Sequence, residues 1–277
     1  MPPESKIASL LVLSDLHINS TVAVCPPSVN LDDGGTYHAS RTQVWLWRCL
    51  EEIAAEFARA TGDKIVLFNG DLGELDTKRR TYQLITPNKA TILDLVRDTI
   101  EPVTSIADRN YMLRGTPAHQ GKSAWLEEAI ADDLDHAVRS SKAAASWWHY
   151  RGTLAGVRID SAHHVSMGGL PWTEKQAATK AASRIVWRYL VDMHQPPPSV
   201  AFRSHNHRWS DSYDNYPTRV ICTPCLTTAT EYIYRTGHEN DLADIGALIM
   251  TCKDGEYEIQ KLRFEPREAR RVWTLTM

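Results

Sequence analysis

The chain has 277 residues, 43% hydrophobic and 23% charged, with a formal net charge of -3. This is an ordinary globular profile with enough length to bury a sizeable core, and the charge argues against coating nucleic acid by bulk electrostatics while leaving room for a local basic groove. No apolar run is long enough to span a bilayer, the opening residues Met1 to Lys6 lack the basic and apolar regions of a signal peptide, and five scattered cysteines do not make a disulfide framework, so a cytoplasmic protein is expected.

Residues 10–17 read Leu-Leu-Val-Leu-Ser-Asp-Leu-His. A short apolar run closed by polar residues predicts a strand buried on both faces. Alternation along that strand would place Asp15 and His17 on one side at its end. A carboxylate beside an imidazole is a start for a transition-metal site, or else a polar cap on the next turn. Residues 18–40 follow, with Cys25-Pro26-Pro27 and Asp32-Asp33-Gly34-Gly35, and are expected as a loop bordering that site. A helix is predicted over 41–61 and a second buried strand over 64–70, ending at Asp71. Then come a helix over 91–106, a strand over 110–114 ending in Gly115-Thr116-Pro117-Ala118-His119, and a helix over 125–138. This alternation is that of a layered arrangement of strands and helices. Further on, strands are expected over 147–151 and 154–161 around Gly152, before His163-His164. A long helix over 174–193 is stopped by Pro196-Pro197-Pro198. A strand over 200–203 leads into Ser204-His205-Asn206-His207, and strands over 220–226, 245–252 and 257–264 complete the chain.

Five polar clusters thus fall at strand ends or just after them: Asp15-x-His17, Gly70-Asp71, Gly115 to His119, His163-His164 and His205-x-His207. Loops at the carboxyl ends of strands are where ligand sites gather. The collection is rich in Asp and His and has no Cys, which selects Mn, Fe or Zn over a thiolate zinc site or an all-oxygen calcium cage.

The order of these blocks, spanning residues 15–207, resembles the calcineurin-like metallophosphoesterase superfamily, and within it phage and prophage members that carry a Gly-Gly loop and a Trp-rich helix after the first block. The resemblance implies an α+β fold, a four-layer αββα sandwich of mixed sheets flanked by helices, as a single domain over 1–277. It implies two divalent metal ions, Mn2+ favoured, with Fe, Zn or Ni as the others. Asp15, His17 and His207 would hold the first. Asp71 would bridge both. His205 and one of His163 or His164, the first of the pair favoured, would hold the second. His119 would assist the leaving group. The family normally reads Gly-Asn-His at the third block. Here Thr116 stands in the Asn place and two extra residues precede His119. Thr116 is then a weaker, hydroxyl ligand, and His119 is open as acid, ligand or neither. The implied activity is hydrolysis of a phosphate ester, with a phosphodiester of nucleic acid or nucleotide favoured, in the cytoplasm (the host's, for a phage protein) and without a membrane partner. The alternatives are a phosphomonoesterase or protein phosphatase, or a weakly active or inactive binding protein on the same fold.

Other signals carry weaker readings. Lys78-Arg79-Arg80 either borders the site or lies on a solvated turn, and Lys180, Arg184 and Arg188 read as a solvated helix face. Arg203 and Arg208 flank the last histidine block and are candidates for touching phosphate. Cys222-Thr223-Pro224-Cys225 has redox spacing but sits in strand-like flanks, so buried thiols are expected. The tryptophans (Trp45, Trp47, Trp147, Trp148, Trp187) are taken as core, with Trp172 and Trp209 allowed near a base or aromatic substrate. His38, His136, His149, His194 and His238 show no partner pattern.

Overall fold

Runs of consecutive apolar residues become strands covered on both sides. In the computed structural model, which describes residues 6–75, 83–165, 176–230 and 243–265, the strands and helices follow in this order: β1 (Ile7–Leu13), β2 (Ser28–Asn30), β3 (Thr36–His38), α1 (Arg41–Arg59), β4 (Asp63–Asn69), α2 (Lys89–Thr104), β5 (Arg109–Leu113), α3 (Pro117–Gln120), α4 (Trp125–Asp133), β6 (Tyr150–Leu154), β7 (Val157–Ser161), α5 (Ala177–Trp187), β8 (Val200–Arg203), β9 (Ser210–Asp211), β10 (Arg219–Cys222), β11 (Ile245–Lys253) and β12 (Glu256–Phe264). One sheet has the order β12-β11-β1-β4-β5 and a second the order β6-β7-β8-β10-β9. The centre of each is parallel: β1, β4 and β5 in the first, β7, β8 and β10 in the second.

Side-chain alternation explains the layering. Leu11, Leu13, Val66, Phe68 and Met112 pack beneath α1, α2 and α4. Their neighbours Leu10, Val12, Ile65, Leu67 and Leu113 point the other way and meet Ile159, Val200, Phe202 and Ile221 of the second sheet. The outer face of that sheet, through Ala201, Val220 and Cys222, is covered by Ala177, Ala178 and Ala182 of α5. The result is an α+β fold of four layers, αββα, with the inter-sheet core in the middle. No helix among the described residues is long and apolar enough to cross a membrane.

Several local expectations are corrected. β1 stops at Leu13, so Asp15 and His17 are not strand residues; both adopt left-handed backbone, φ 52° and 46°. The 18–40 segment is no plain loop: it holds the hairpin β2–β3, and Ile18, Ala23, Val24 and Cys25 are fully buried. Helix α4 ends at Asp133 rather than 138, because Asn110 on the edge strand β5 exchanges backbone hydrogen bonds with His136 and Val138. The β6–β7 hairpin turns at Ala155-Gly156, not Gly152, which lies inside β6 opposite Ile159. Helix α5 gives way to a π-helical turn, Arg188–Asp192, and the expected start at Glu174 lies outside the described residues, as do Lys78-Arg79-Arg80, Trp172 and His238. β10 stops at Cys222; Cys222 and Cys225 are both buried and free, and burial pushes the Cys222 thiol up to about 12. Trp148 and Trp187 are exposed rather than core.

One long edge of the sandwich and the outer face of the second sheet are tied by charge. At the edge, Asp211 of β9 binds Arg219 (2.7 Å) and Lys261 of β12 (2.6 Å). Lys261 and Arg263 also lie over the Trp209 ring, at 5.8 and 5.1 Å, so Trp209 is covered by cations. On the outer face of the second sheet, Arg203 is committed to Asp160 (2.6 Å), with His149 at 2.9 Å and Arg151 at 3.3 Å from the same carboxylate. Arg203 is therefore not free to grip phosphate, and His149 does have a partner. Asp160→Ala would strand a buried guanidinium, and breaking such a pair typically destabilises by about 3–5 kcal/mol. A fall of that size in unfolding free energy, read from urea titration, is expected; a loss below about 1 kcal/mol would mean that water replaces the carboxylate.

Candidate metal centre

All five polar clusters lie at the carboxyl ends of parallel strands, and both sheets contribute. The first sheet supplies Asp15 and His17 after β1, Asp71 after β4, and Thr116 and His119 after β5. The second supplies His163 after β7 and His205 and His207 after β8. Beneath them Asn69 joins the sheets: Ser161 Oγ donates to its Oδ1 (2.8 Å) and its Nδ2 donates to Ser204 Oγ (2.5 Å). Asp15, His17, Asp71, His205 and His207 all have left-handed φ, between 46° and 76°. Such non-glycine strain costs on the order of 1–3 kcal/mol per residue and persists where surrounding contacts enforce it.

The side chains meet across the inter-sheet gap. His207 Nε2 is 3.3 Å from Asp15 Oδ1 and 3.3 Å from His17 Nε2. His163 Nε2 is 3.0 Å from Asp71 Oδ2 and 3.9 Å from Asp15 Oδ1; His205 Nδ1 is 4.0 Å from Asp71 Oδ2. Three groups with ligand atoms within 4.8 Å of one another result: Asp15, His17 and His207; Asp71, His163 and His205; and His17, Asp71 and His119. Of the adjacent histidines, His163 is buried in this cleft, whereas His164 is exposed beside it.

The donor set fits divalent ions on this structure's own terms. Asp15 Oδ1 and His163 Nε2 are buried without a hydrogen-bond partner. His163 donates its Nδ1 proton to the Asn69 carbonyl (2.7 Å), which leaves the Nε2 lone pair facing the Asp71 carboxylate. Two acceptors in such contact repel unless a cation or proton lies with them. Without a bound ion, the charges favour a proton in that place. Burial opposes ionisation of Asp15, yet His163 and His207 hold it down at about 2, while Asp71 and Asp15 lift His163 to about 9 against its own desolvation. Asp71 lies well below the carboxylate range for the same reason.

Two carboxylates that sequence reasoning missed organise this centre. Glu74 Oε2 accepts from Nδ1 of both His17 (3.1 Å) and His119 (2.6 Å), which turns each Nε2 inward. Burial pushes Glu74 up, but these two histidines outweigh it and hold it below its usual value; His119, against its own burial, is raised by Glu74 and Asp71. The only sequence signal was a Glu three residues after Asp71. Glu127, fully buried on α4, accepts the Gly115 N–H with both oxygens (3.0 and 2.9 Å) and is pushed up to about 8 by burial and by the Asp71 charge. Nothing in its spacing marked it.

Thr116 is placed against Asp71, its N–H donating at 2.6 Å and its hydroxyl at 3.0 Å to Oδ1. The turn needs glycine before it: a Cβ on Gly115 would lie 2.1 Å from Asp71 Oδ1 and 2.2 Å from its backbone nitrogen. Gly115→Ala must therefore move Asp71 or unfold the turn. A fall in metal stoichiometry with retained far-UV circular dichroism is expected; unaltered metal content would show that the turn yields elsewhere.

No protein-family model matches the chain, and no curated protein is similar to it. Among solved structures it is similar to a conserved uncharacterized protein of Streptococcus pneumoniae TIGR4 described as a predicted phosphoesterase (TM-score 0.39, 8% identity, 93% of this chain and 90% of that one). It is also similar to Vps29 of Chaetomium thermophilum (0.42, 13%, 92% and 97%) and to a dimetal phosphatase of Danio rerio (0.39, 10%, 93% and 99%). Likenesses this distant carry no conclusion about family or chemistry.

Proposed function

We propose that the chain is a metal-dependent phosphoesterase acting on a phosphodiester of the nucleic acid or nucleotide class. The observation that carries this reading is the pair of Asp/His groups joined through Asp71, which lies within ligand distance of His17 on one side and of His163 and His205 on the other. Asp15, His17 and His207 would hold one divalent ion and His163 and His205 the other, with Asp71 shared and the Thr116 hydroxyl as a weak further ligand. The order of the five blocks, which resembles the calcineurin-like metallophosphoesterases, supports the same assignment. Nitrogen and oxygen donors without thiolate suit Mn, Fe or Zn, and Mn2+ is the ion that the resemblance favours.

A bound pair of divalent ions would supply a water of lowered pKa and offset the charge of the phosphate oxygens. The chain's own groups do the rest. Glu74 fixes the His119 ring and raises its proton affinity, which favours the form that carries a proton on Nε2 to offer toward the cleft. His17, oriented by the same carboxylate, presents its Nε2 to the site. Thr116 and Gly115 fix Asp71 from behind.

The test is hydrolysis of a bis-aryl phosphate against a mono-aryl phosphate, with Mn2+ restored after chelation. Diester turnover that depends on added metal supports the proposal. Preference for the monoester would replace it with a phosphomonoesterase, two bound ions without turnover of either would point to a narrow substrate, and no turnover without bound metal would point to a binding protein.

A further inference from the structure

Trp148 is the most exposed large apolar side chain described, at 66%, and its position is not accidental. Trp147 forms an isolated parallel bridge to Leu113 at the β5 edge of the first sheet: Trp147 N–H donates to the Met112 carbonyl and Arg114 N–H to the Trp147 carbonyl, both at 2.8 Å. Trp148 is thus one step further toward the carboxyl end of β5, the end that carries Thr116 and His119. Alternation sends Trp147 into the inter-sheet core, where its ring meets Tyr111 at a tilt and Tyr150 edge to face, and sends Trp148 outward.

Outward does not mean loose. The Arg114 guanidinium lies 4.7 Å from the Trp148 ring centroid. Arg114 is itself held by Glu128 (3.0 Å) and by Ser146 Oγ (2.7 Å), and Glu128 also accepts the backbone N–H groups of Ala145 (2.7 Å) and Ser146 (3.0 Å). The neighbouring Glu127 grips Gly115. The first turn of α4 therefore locks the Trp148 platform with one glutamate and the Asp71-binding turn with the next. A tryptophan so braced, with a cation beside it and its surface open, suits a flat aromatic ring better than it suits an apolar core. Only Gly115 separates Arg114 from Thr116, so the residue that braces the platform is about 7 Å of backbone from the turn that touches Asp71.

We propose that Trp148, braced by Arg114, is the stacking platform for a nucleobase of the substrate, on the side of the cleft where His119 faces the leaving group. This rests on the phosphodiesterase reading and narrows it to esters that carry a base.

The experiment compares a short oligothymidylate with an abasic phosphodiester of equal length and charge, on the Mn2+-loaded protein, for wild type, Trp148→Ala and Trp148→Phe. Stacking on one aromatic ring is worth about 5- to 150-fold per base. Wild type is expected to favour the base-bearing oligomer by a factor in that range, expressed in KM; Trp148→Ala should bring the ratio close to one and Trp148→Phe should restore most of it. A ratio near one in wild type, or one that Trp148→Ala leaves intact, overturns the platform. If the loaded protein hydrolyses neither oligomer nor any aryl ester, the phosphoesterase reading fails. Fluorescence anisotropy of the same two labelled oligomers then decides the platform separately, by the same ratio in Kd.

Discussion

Replacing Asp71 by asparagine is expected to abolish measurable hydrolysis of aryl phosphates and to reduce bound metal to one ion or none. The substitution isolates charge from shape. Asp71 sits at φ 52°, a conformation that asparagine tolerates better than other residues, so the backbone need not move. The amide oxygen can still accept the Thr116 N–H that now reaches Oδ1. The amide nitrogen would then donate to His163 Nε2, where the wild type has a 3.0 Å contact with the carboxylate. What disappears is one negative charge shared between two ligand groups. At about 4 Å and an effective dielectric constant of about 20, a pair of unit charges interacts by about 4 kcal/mol, or roughly a thousandfold in affinity. The metal-free variant should be less stable to heat than metal-free wild type, because the histidines around Asp71, His163 first, favour its charge more than Asp15 opposes it. Added Mn2+ should raise the wild-type melting temperature and leave the variant's nearly unmoved. Two ions per chain and normal turnover in Asp71→Asn would remove Asp71 from the bridging position.

The elements that make this centre were legible for a physical reason. A strand buried on both faces must be a short continuous apolar run, and a metal ligand must be Asp or His, so both leave marks in composition. The strands ending at Leu13, Asn69, Leu113 and Arg203 and the polar groups after them could be read from that alone. The manner in which Asp15 and His17 come to face the same cleft could not. Strand alternation suggested it, but two left-handed residues do it instead, and backbone handedness at a non-glycine position has no signature in one sequence. Glu74 and Glu127 escaped for another reason. Each acts through a contact that only tertiary packing creates: Glu74 on one ring that follows β1 and one in α3, Glu127 on a backbone N–H. Arg203 went the other way, since a cation next to the last histidine block looks like a phosphate ligand until β7 places Asp160 beside it.

His119 belongs to a cluster with His17 and Asp71 and is also the half-buried partner of Glu74. The reading as proton donor makes a specific forecast for His119→Ala. Loss of a general acid slows reactions by about 10²- to 10⁴-fold, but only where the leaving oxygen needs a proton. An alkyl diester should lose activity across that range, whereas a nitrophenyl ester, whose leaving group departs as a stable anion, should lose far less. Metal content should be unchanged. A ligand would behave otherwise: both esters would fall together and metal would be lost. The pH profile gives the same division. Glu74 and the Asp71 charge raise His119 above the ordinary histidine value, so its donor form persists to higher pH, and the wild-type rate on the alkyl ester should fall as pH rises through that raised value. That alkaline limb should be absent from His119→Ala. In Glu74→Gln the neutral amide no longer stabilises the protonated ring, and the limb should move to lower pH. A variant series in which the limb stays fixed while Mn2+ affinity drops would place His119 on the metal rather than on the leaving group.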